Sequence, residues 1–210
     1  VQHSIPLKKL IRHAPFYHRL CSEREVGRLR KLIRTAQPLN VVIGGGERDY
    51  EGWINTDRTV LDITQPRDWQ SLFEPESIDR LLCEHVLEHL SEDECRAALA
   101  ECHRHLKPCA LFRVAVPDGY RRDAAYIAEV APPNAGHKQL FNIDTLALLL
   151  EGAGFSVTPL EYFDADGQFH AVAWDEREGF VARSLRFDSQ EQFRCGSLFY
   201  TSIVVDARRA

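Results

Sequence analysis

The sequence contains no methionine, no Cys-x-x-Cys pair, no internal repeat and no linker-like stretch. Its longest purely aliphatic run, Leu146 to Leu150, falls far short of the ~20 residues that span a bilayer. Cys21, Cys83, Cys95, Cys102, Cys109 and Cys195 show no regular spacing. They read as reduced thiols of a cytoplasmic protein rather than as a disulfide framework. No charged-then-apolar leader opens the chain, and the missing methionine leads us to expect that its natural start has been removed or lost. What is present is ordinary for a globular chain. At 210 residues, 44% hydrophobic and 27% charged, it is one domain with a small appendage and can bury its own core.

Charge is uneven. The net charge is −5, yet residues 1–35 carry +7 and the remainder −12. Lys8, Lys9, Arg12, Arg19, Arg24, Arg28, Arg30, Lys31 and Arg34 face only Glu23 and Glu25 in that head. A basic head meets something anionic: a phosphorylated acceptor, a lipid surface by peripheral membrane contact, or its own acidic body. Nucleic acid is not expected, because aromatics are not interleaved with these charges beyond Phe16 and Tyr17.

The hydrophobic pattern alternates strands with helices. Ser22-Glu23-Arg24-Glu25 has the form of a capping box, followed by Val26, Leu29, Leu32 and Ile33 at helical spacing up to a stop at Pro38. Leu39–Ile43 reads as a buried strand ending in Gly44-Gly45-Gly46. Trp53–Thr56, Thr59–Ile63, Ile78–Cys83, Ala110–Val116, Phe155–Tyr162 and Ser197–Asp206 are further strand candidates. A second capping box, Ser91 to Glu94, opens a helix toward Lys107-Pro108, and Asp144–Ala153 forms another. The pattern predicts an α/β fold, a sheet with helices on both faces, preceded by a helical segment over residues 1–37; residues 38–210 form the main domain.

In open α/β sheets, ligands bind beyond the carboxyl ends of the strands. There the sequence places Gly44 to Gly46, Asp57, Asp62, Glu84-His85 and Pro117-Asp118. Glycines admit a ligand close to the backbone, one acid can hold both hydroxyls of a ribose, and a second can accept from an exocyclic amine. This is a nucleoside-shaped site. A dinucleotide fingerprint would need a third glycine where Asp49 stands, and a helix N-terminus facing pyrophosphate. Only Glu47 to Gly52 separate the turn from the next strand, so a phosphate-free, cationic cofactor such as S-adenosyl-L-methionine fits better than NAD.

These residues resemble a known family. Gly44-Gly45-Gly46, then Gly52-Trp53-Ile54-Asn55-Thr56-Asp57, then the run from Ser77 through His85-Val86-Leu87-Glu88-His89-Leu90, are similar to class I S-adenosylmethionine-dependent methyltransferases. In particular they resemble a small bacterial group with GWxNxD, HVLEHL and VPD motifs; Leu106-Lys107-Pro108, His137-Lys138 and Tyr200 to Asp206 also match. The similarity runs from about residue 39 to 206; the head and Pro108-Cys109-Ala110, where the group has KPGG, depart from it. The resemblance implies a three-layer Rossmann-like sheet, mostly parallel with an antiparallel C-terminal strand. It implies that Gly44, Gly45 and Gly46 pass under the cofactor, that Asp57 holds the ribose, and that Asp62 with the Ile63 backbone reads adenine. Glu84 and His85 would line the sulfonium end. Asp62 also has a plainer reading as a turn cap before Thr64.

Methyl transfer to oxygen is an in-line displacement that needs alignment and a base, for which His85, Asp118 and His137 are candidates lining one cleft. His85 and His89 stand four residues apart, a spacing zinc can use, with His103, His105 and the cysteines as further donors. The order is not H-E-x-x-H, and no metal is expected. Cys83-Glu84-His85 is nothing like the Pro-Pro-aromatic signature of DNA amino-methyltransferases. The expected activity is O-methylation of a small hydroxyl or sugar-type acceptor of bacterial surface or secondary metabolism. A NAD-linked oxidoreductase and a non-catalytic nucleoside-binding module are the alternatives.

Overall fold

The computed structural model describes residues 15–46, 48, 50–188 and 202–210. Lys8, Lys9, Arg12, Glu47, Asp49, Cys195, and the 197–201 part of the last strand candidate lie outside them. In chain order the elements are α1 (Pro15–Thr35), β1 (Asn40–Ile43), β2 (Ile54–Asn55), α2 (Pro66–Leu72), β3 (Ile78–Glu84), α3 (Glu92–His105), β4 (Leu106–Val116), α4 (Ala124–Val130), α5 (Ile143–Gly152), β5 (Phe155–Phe163), β6 (Phe169–Ala171), α6 (Leu185–Asp188) and β7 (Ile203–Arg209). Single 3₁₀ turns cover Leu87–His89, Asn134–Gly136 and Glu176–Glu178.

The strands form one sheet in the order β2-β1-β3-β4-β7-β5-β6. β2, β1, β3 and β4 pair in parallel, and β7 inserts antiparallel between β4 and β5. The sheet is thus the expected Rossmann-like one, mostly parallel with an antiparallel C-terminal strand. Alternation sorts its side chains. Val41, Ile43, Leu81, Cys83, Phe112, Val114, Val205 and Ala207 face one large core with Leu29, Trp69, Leu99, Leu146 and Leu150 from the helices. Val42, Leu82, Ala115, Leu160 and Val204 face a smaller core with Tyr50, Trp53, Trp174, Phe180 and Val181. That second layer is thin: the segment before α6 and the loop before β2 cover it, where the pattern predicts helices.

Local chemistry explains the elements. Ser91 and Glu94 form both halves of a capping box at α3, and Asn142 with Thr145 does the same at α5. Two expectations are corrected. Thr59–Ile63 is a pair of turns and not a strand, because the Asp57 carbonyl accepts from both Val60 and Leu61 N–H and bends the chain away from the sheet. Ser22 lies inside α1 rather than at its start, since α1 begins at Pro15, a residue favoured at a first helical position.

The apolar stripe of α1 packs as predicted. Leu29 is buried in the large core, and Val26 and Ile33 pack against it. Leu32 is still 45% exposed. Cys83, Cys95 and Cys102 are buried free thiols, and burial pushes the Cys95 thiol up to about 12. Cys109, standing where the related group has glycine, takes a left-handed φ of 61°. No helix among the described residues is long and apolar enough to cross a membrane.

Candidate functional site

The glycine turn leaves β1 with Gly44 and Gly46 at φ 68° and 59°, a conformation glycine adopts without cost. Asn55 fixes it. Its side-chain Nδ2 donates to the Gly46 and Arg48 carbonyls at 2.8 and 3.0 Å, and Gly45 N–H donates to the Thr56 carbonyl at 3.1 Å. Thr56 is itself tied twice to the Val42 carbonyl, through N–H and Oγ1. The GWIN-T-D stretch therefore holds the turn against the end of β1. Among the described residues no helix follows the turn before β2, so no helix N-terminus faces it.

Asp57 sits just beyond β2. Its Oδ1 accepts from Thr59 N–H at 2.8 Å and Thr59 Oγ1 at 2.6 Å. Both bonds fall on one oxygen, so the lone pairs of Oδ2 face outward from this turn. Gly46, Trp53, Asn55, Thr56 and Asp57 line one cavity of about 780 Å³, whose opposite wall includes Arg28, Leu29 and Leu32 of α1. That volume is in the usual range for a small-molecule or cofactor site.

Asp62 has the turn-cap geometry: Oδ1 accepts from Thr64 N–H and Oγ1 at 3.1 and 2.7 Å, and Arg58 lies 3.5 Å from Oδ2. Partial burial would raise its pKa, but the Thr64 hydrogen bonds and Arg58 outweigh it and hold the carboxyl below its ordinary value. Ile63 is buried, and its carbonyl accepts from the indole of Trp69.

Glu84 and His85 end β3. The Glu84 carboxylate is buried and accepts from Arg48 Nη1 at 3.1 Å, Ala182 N–H at 3.2 Å and Arg183 N–H at 3.0 Å. These partners, 98 and 99 residues on for the last two, gave no signal in the sequence. His85 takes a left-handed φ of 56°, its ring between Ser202 Oγ, 2.7 Å from Nε2, and Glu88 Oε1, 3.2 Å from Nδ1. A non-glycine residue in that region at the end of a strand is a feature of functional sites.

The other two candidate bases differ from it. His137 is buried and its Nδ1 donates to the Val130 carbonyl at 2.7 Å. Asp118 is fully enclosed, with Oδ1 accepting from Tyr120 N–H and Oδ2 from Phe163 N–H. Both of its oxygens brace backbone, so Asp118 acts as a strut between the loop after β4 and β5. Burial pushes its carboxyl up to about 6, against the pull of those two N–H groups and Arg121.

That shift has a measurable consequence. The folded value lies above the ordinary 3.8, so the native state holds the proton more tightly than the unfolded chain. Its contribution to stability is complete below about pH 4 and is lost as the pH rises through about 6. The span corresponds to on the order of 2–3 kcal/mol. In urea titrations, the stability of the native protein minus that of Asp118→Asn is expected to fall by this amount between about pH 4 and pH 7. A difference that stays flat over that range would contradict the assignment.

The cavity runs from Gln37, Pro38 and Asn40 at the amino end of β1 to Gly46 and Asp57 beyond the carboxyl ends of β1 and β2, the end where open α/β sheets take ligands; Gly44, Gly45, Asp62, Ile63, Glu84 and His85 are not among its lining residues. The chain belongs to the methyltransferase-domain family, whose model matches residues 22–160. A comparison with curated proteins finds no match. Among solved structures, the chain is similar to a SAM-dependent methyltransferase from Archaeoglobus fulgidus at 16% identity, covering 90% of this chain and 94% of that one with a TM-score of 0.49. It is also similar to the 1,6-didemethyltoxoflavin-N1-methyltransferase of Burkholderia thailandensis, at 15% identity, 100% and 92% coverage and a TM-score of 0.46.

Proposed function

We propose that this enzyme uses S-adenosyl-L-methionine and transfers its methyl group to a hydroxyl oxygen of a small or sugar-type acceptor. The observation that carries the reading is the single cavity walled by both Gly46 and Asp57. In this reading Gly44 to Gly46 lie under the methionine and ribose parts, Asp57 Oδ2 takes the ribose hydroxyls, and Asp62 with the Ile63 backbone, outside the cavity lining, faces adenine. Glu84 and His85, at the end of β3, are assigned to the sulfonium end. The donor supplies an activated carbon, so the chain's task is to align the acceptor and remove its proton. Of the three candidate bases, His85 is assigned that role, since Asp118 braces backbone and His137 turns toward Glu88 and His89.

The cavity wall carries Glu25, Glu51 and Asp57 beside Arg28 and Arg177, so an anionic acceptor is proposed on the exposed Arg24 and Lys31 of the basic helix rather than on the cavity's own charge. The proposed setting is the cytoplasm of a bacterial cell, in surface or secondary metabolism, with peripheral membrane contact through the basic head as the alternative use of those charges. The NAD reading loses support from the absence of a helix after the turn among the described residues. Calorimetry with S-adenosylhomocysteine tests the assignment of the ribose. Asp57→Ala is expected to weaken binding by about 1.5–3 kcal/mol, the scale of hydrogen bonds to a charged group. Unchanged affinity in that variant would remove Asp57 from the site.

A further inference from the structure

Glu88 is the most anomalous polar residue among those described. It is fully buried, and neither carboxylate oxygen has a hydrogen-bond partner. His85 Nδ1 lies 3.2 Å from Oε1 as an ion-pair contact. A buried carboxylate without hydrogen bonds is costly and calls for an explanation, of which a bound cation is one. Two imidazoles converge on it. Glu88, His89 and His137 each offer one ligand atom, and the three atoms lie within 4.8 Å of one another. The two rings meet edge to face at 4.8 Å between centroids.

Each histidine has its Nδ1 tied to a backbone carbonyl. His137 gives its Nδ1 proton to the Val130 carbonyl at 2.7 Å, and His89 gives its own to the Gly136 carbonyl at 3.3 Å. A ring nitrogen facing a carbonyl must be the donor, so in both residues Nε2 keeps the lone pair. A carbonyl fixing the tautomer of a metal-bound imidazole is the usual outer partner of such a ligand. The two chain segments are also locked together. Lys138 and Gln139 N–H both donate to the Glu88 carbonyl, Gln139 Nε2 donates to the Leu90 carbonyl, and Lys138 pairs with Glu94 at 2.6 Å.

We infer that Glu88, His89 and His137 form a binding site for a divalent transition-metal cation, with His89 marking its solvent-facing side. Two imidazole nitrogens and one carboxylate oxygen select a borderline ion such as Zn²⁺ or Co²⁺ rather than Ca²⁺, which takes oxygen ligands. Three protein ligands leave a position open for water or for an oxygen of another molecule. The site lies one residue group beyond the cofactor-side residues of β3, and its existence does not depend on the proposed methyl transfer.

The test is a titration of chelator-treated protein with Co²⁺, read by visible d–d absorption, followed by displacement with Zn²⁺. One equivalent is expected to bind saturably. His89→Ala is exposed and should fold normally, as circular dichroism would check; it and Glu88→Gln are each expected to lose at least about 100-fold in affinity. His170→Ala, on a surface pair with Asp164, should bind as the native protein does. Zn²⁺ should also raise the melting temperature of the native protein but not that of Glu88→Gln. No saturable Co²⁺ band, or a band that persists in both His89→Ala and Glu88→Gln, would overturn the site and leave a packed histidine pair.

Discussion

Gly45→Ala is expected to lower the affinity for S-adenosylhomocysteine by at least about 100-fold, roughly 2.8 kcal/mol. A β-carbon at Gly45 would stand 2.1 Å from Asn55 Oδ1 and 2.9 Å from its Cγ. Asn55 cannot yield without releasing the Gly46 and Arg48 carbonyls, and with them the wall of the cavity. Gly46→Ala makes a useful contrast. Nothing lies within 4 Å of its added carbon, so only the left-handed φ is penalised, at about 1–2 kcal/mol. Calorimetry on both variants, with thermal melts to confirm folding, separates loss of the turn from loss of the fold. Equal, small losses in the two would contradict the buttress role of Asn55.

Asp206→Ala is expected to destabilise the fold by about 3–5 kcal/mol, because it leaves a buried guanidinium without its anion. Arg113 is fully buried in β4 and meets Asp206 of β7 with two bonds, Nε at 2.7 Å and Nη2 at 2.9 Å. Its third nitrogen donates to the Asp175 and Gly179 carbonyls, and Trp174 covers it at 4.6 Å. This one side chain therefore fastens the thin second layer to the sheet. Replacing both partners by apolar residues of similar size, Arg113→Met with Asp206→Leu, should recover most of the loss. Urea denaturation of the two variants decides the point, and an Asp206→Ala loss below about 1 kcal/mol would show that the pair holds little.

The parts of the fold that the sequence disclosed are those set by local rules. The apolar runs at Leu39–Ile43, Ile78–Cys83 and Ala110–Val116 became β1, β3 and β4, and Ser91 with Glu94 marked the start of α3. Thr59–Ile63 looked like a strand because its apolar residues are buried, but the Asp57 carbonyl competes for its backbone and wins. The second layer was invisible, since it is fastened through Arg113, whose Nη1 donates to the Asp175 and Gly179 carbonyls 62 and 66 positions on, and not by periodicity. The site divides the same way. Its glycine turn and Asp57 lie within 14 residues and could be read together. The partners of Glu84 and the approach of His137 to Glu88 exist only once the segment before α6 and the loop after α4 are in place. Asp118 shows the opposite failure: its position after a strand suggested chemistry, and its two backbone bonds give it a bracing role.

Trp53 lines the same cavity as Gly46 and Asp57, whereas Trp69, on the inner face of α2, is fully buried and Trp174 covers Arg113. Titrating S-adenosylhomocysteine into the protein while following tryptophan fluorescence therefore tests the central claim most directly. The account predicts a saturable one-to-one change that is abolished in Trp53→Phe and absent when NAD replaces the ligand. A saturable response to NAD with none to S-adenosylhomocysteine would contradict it.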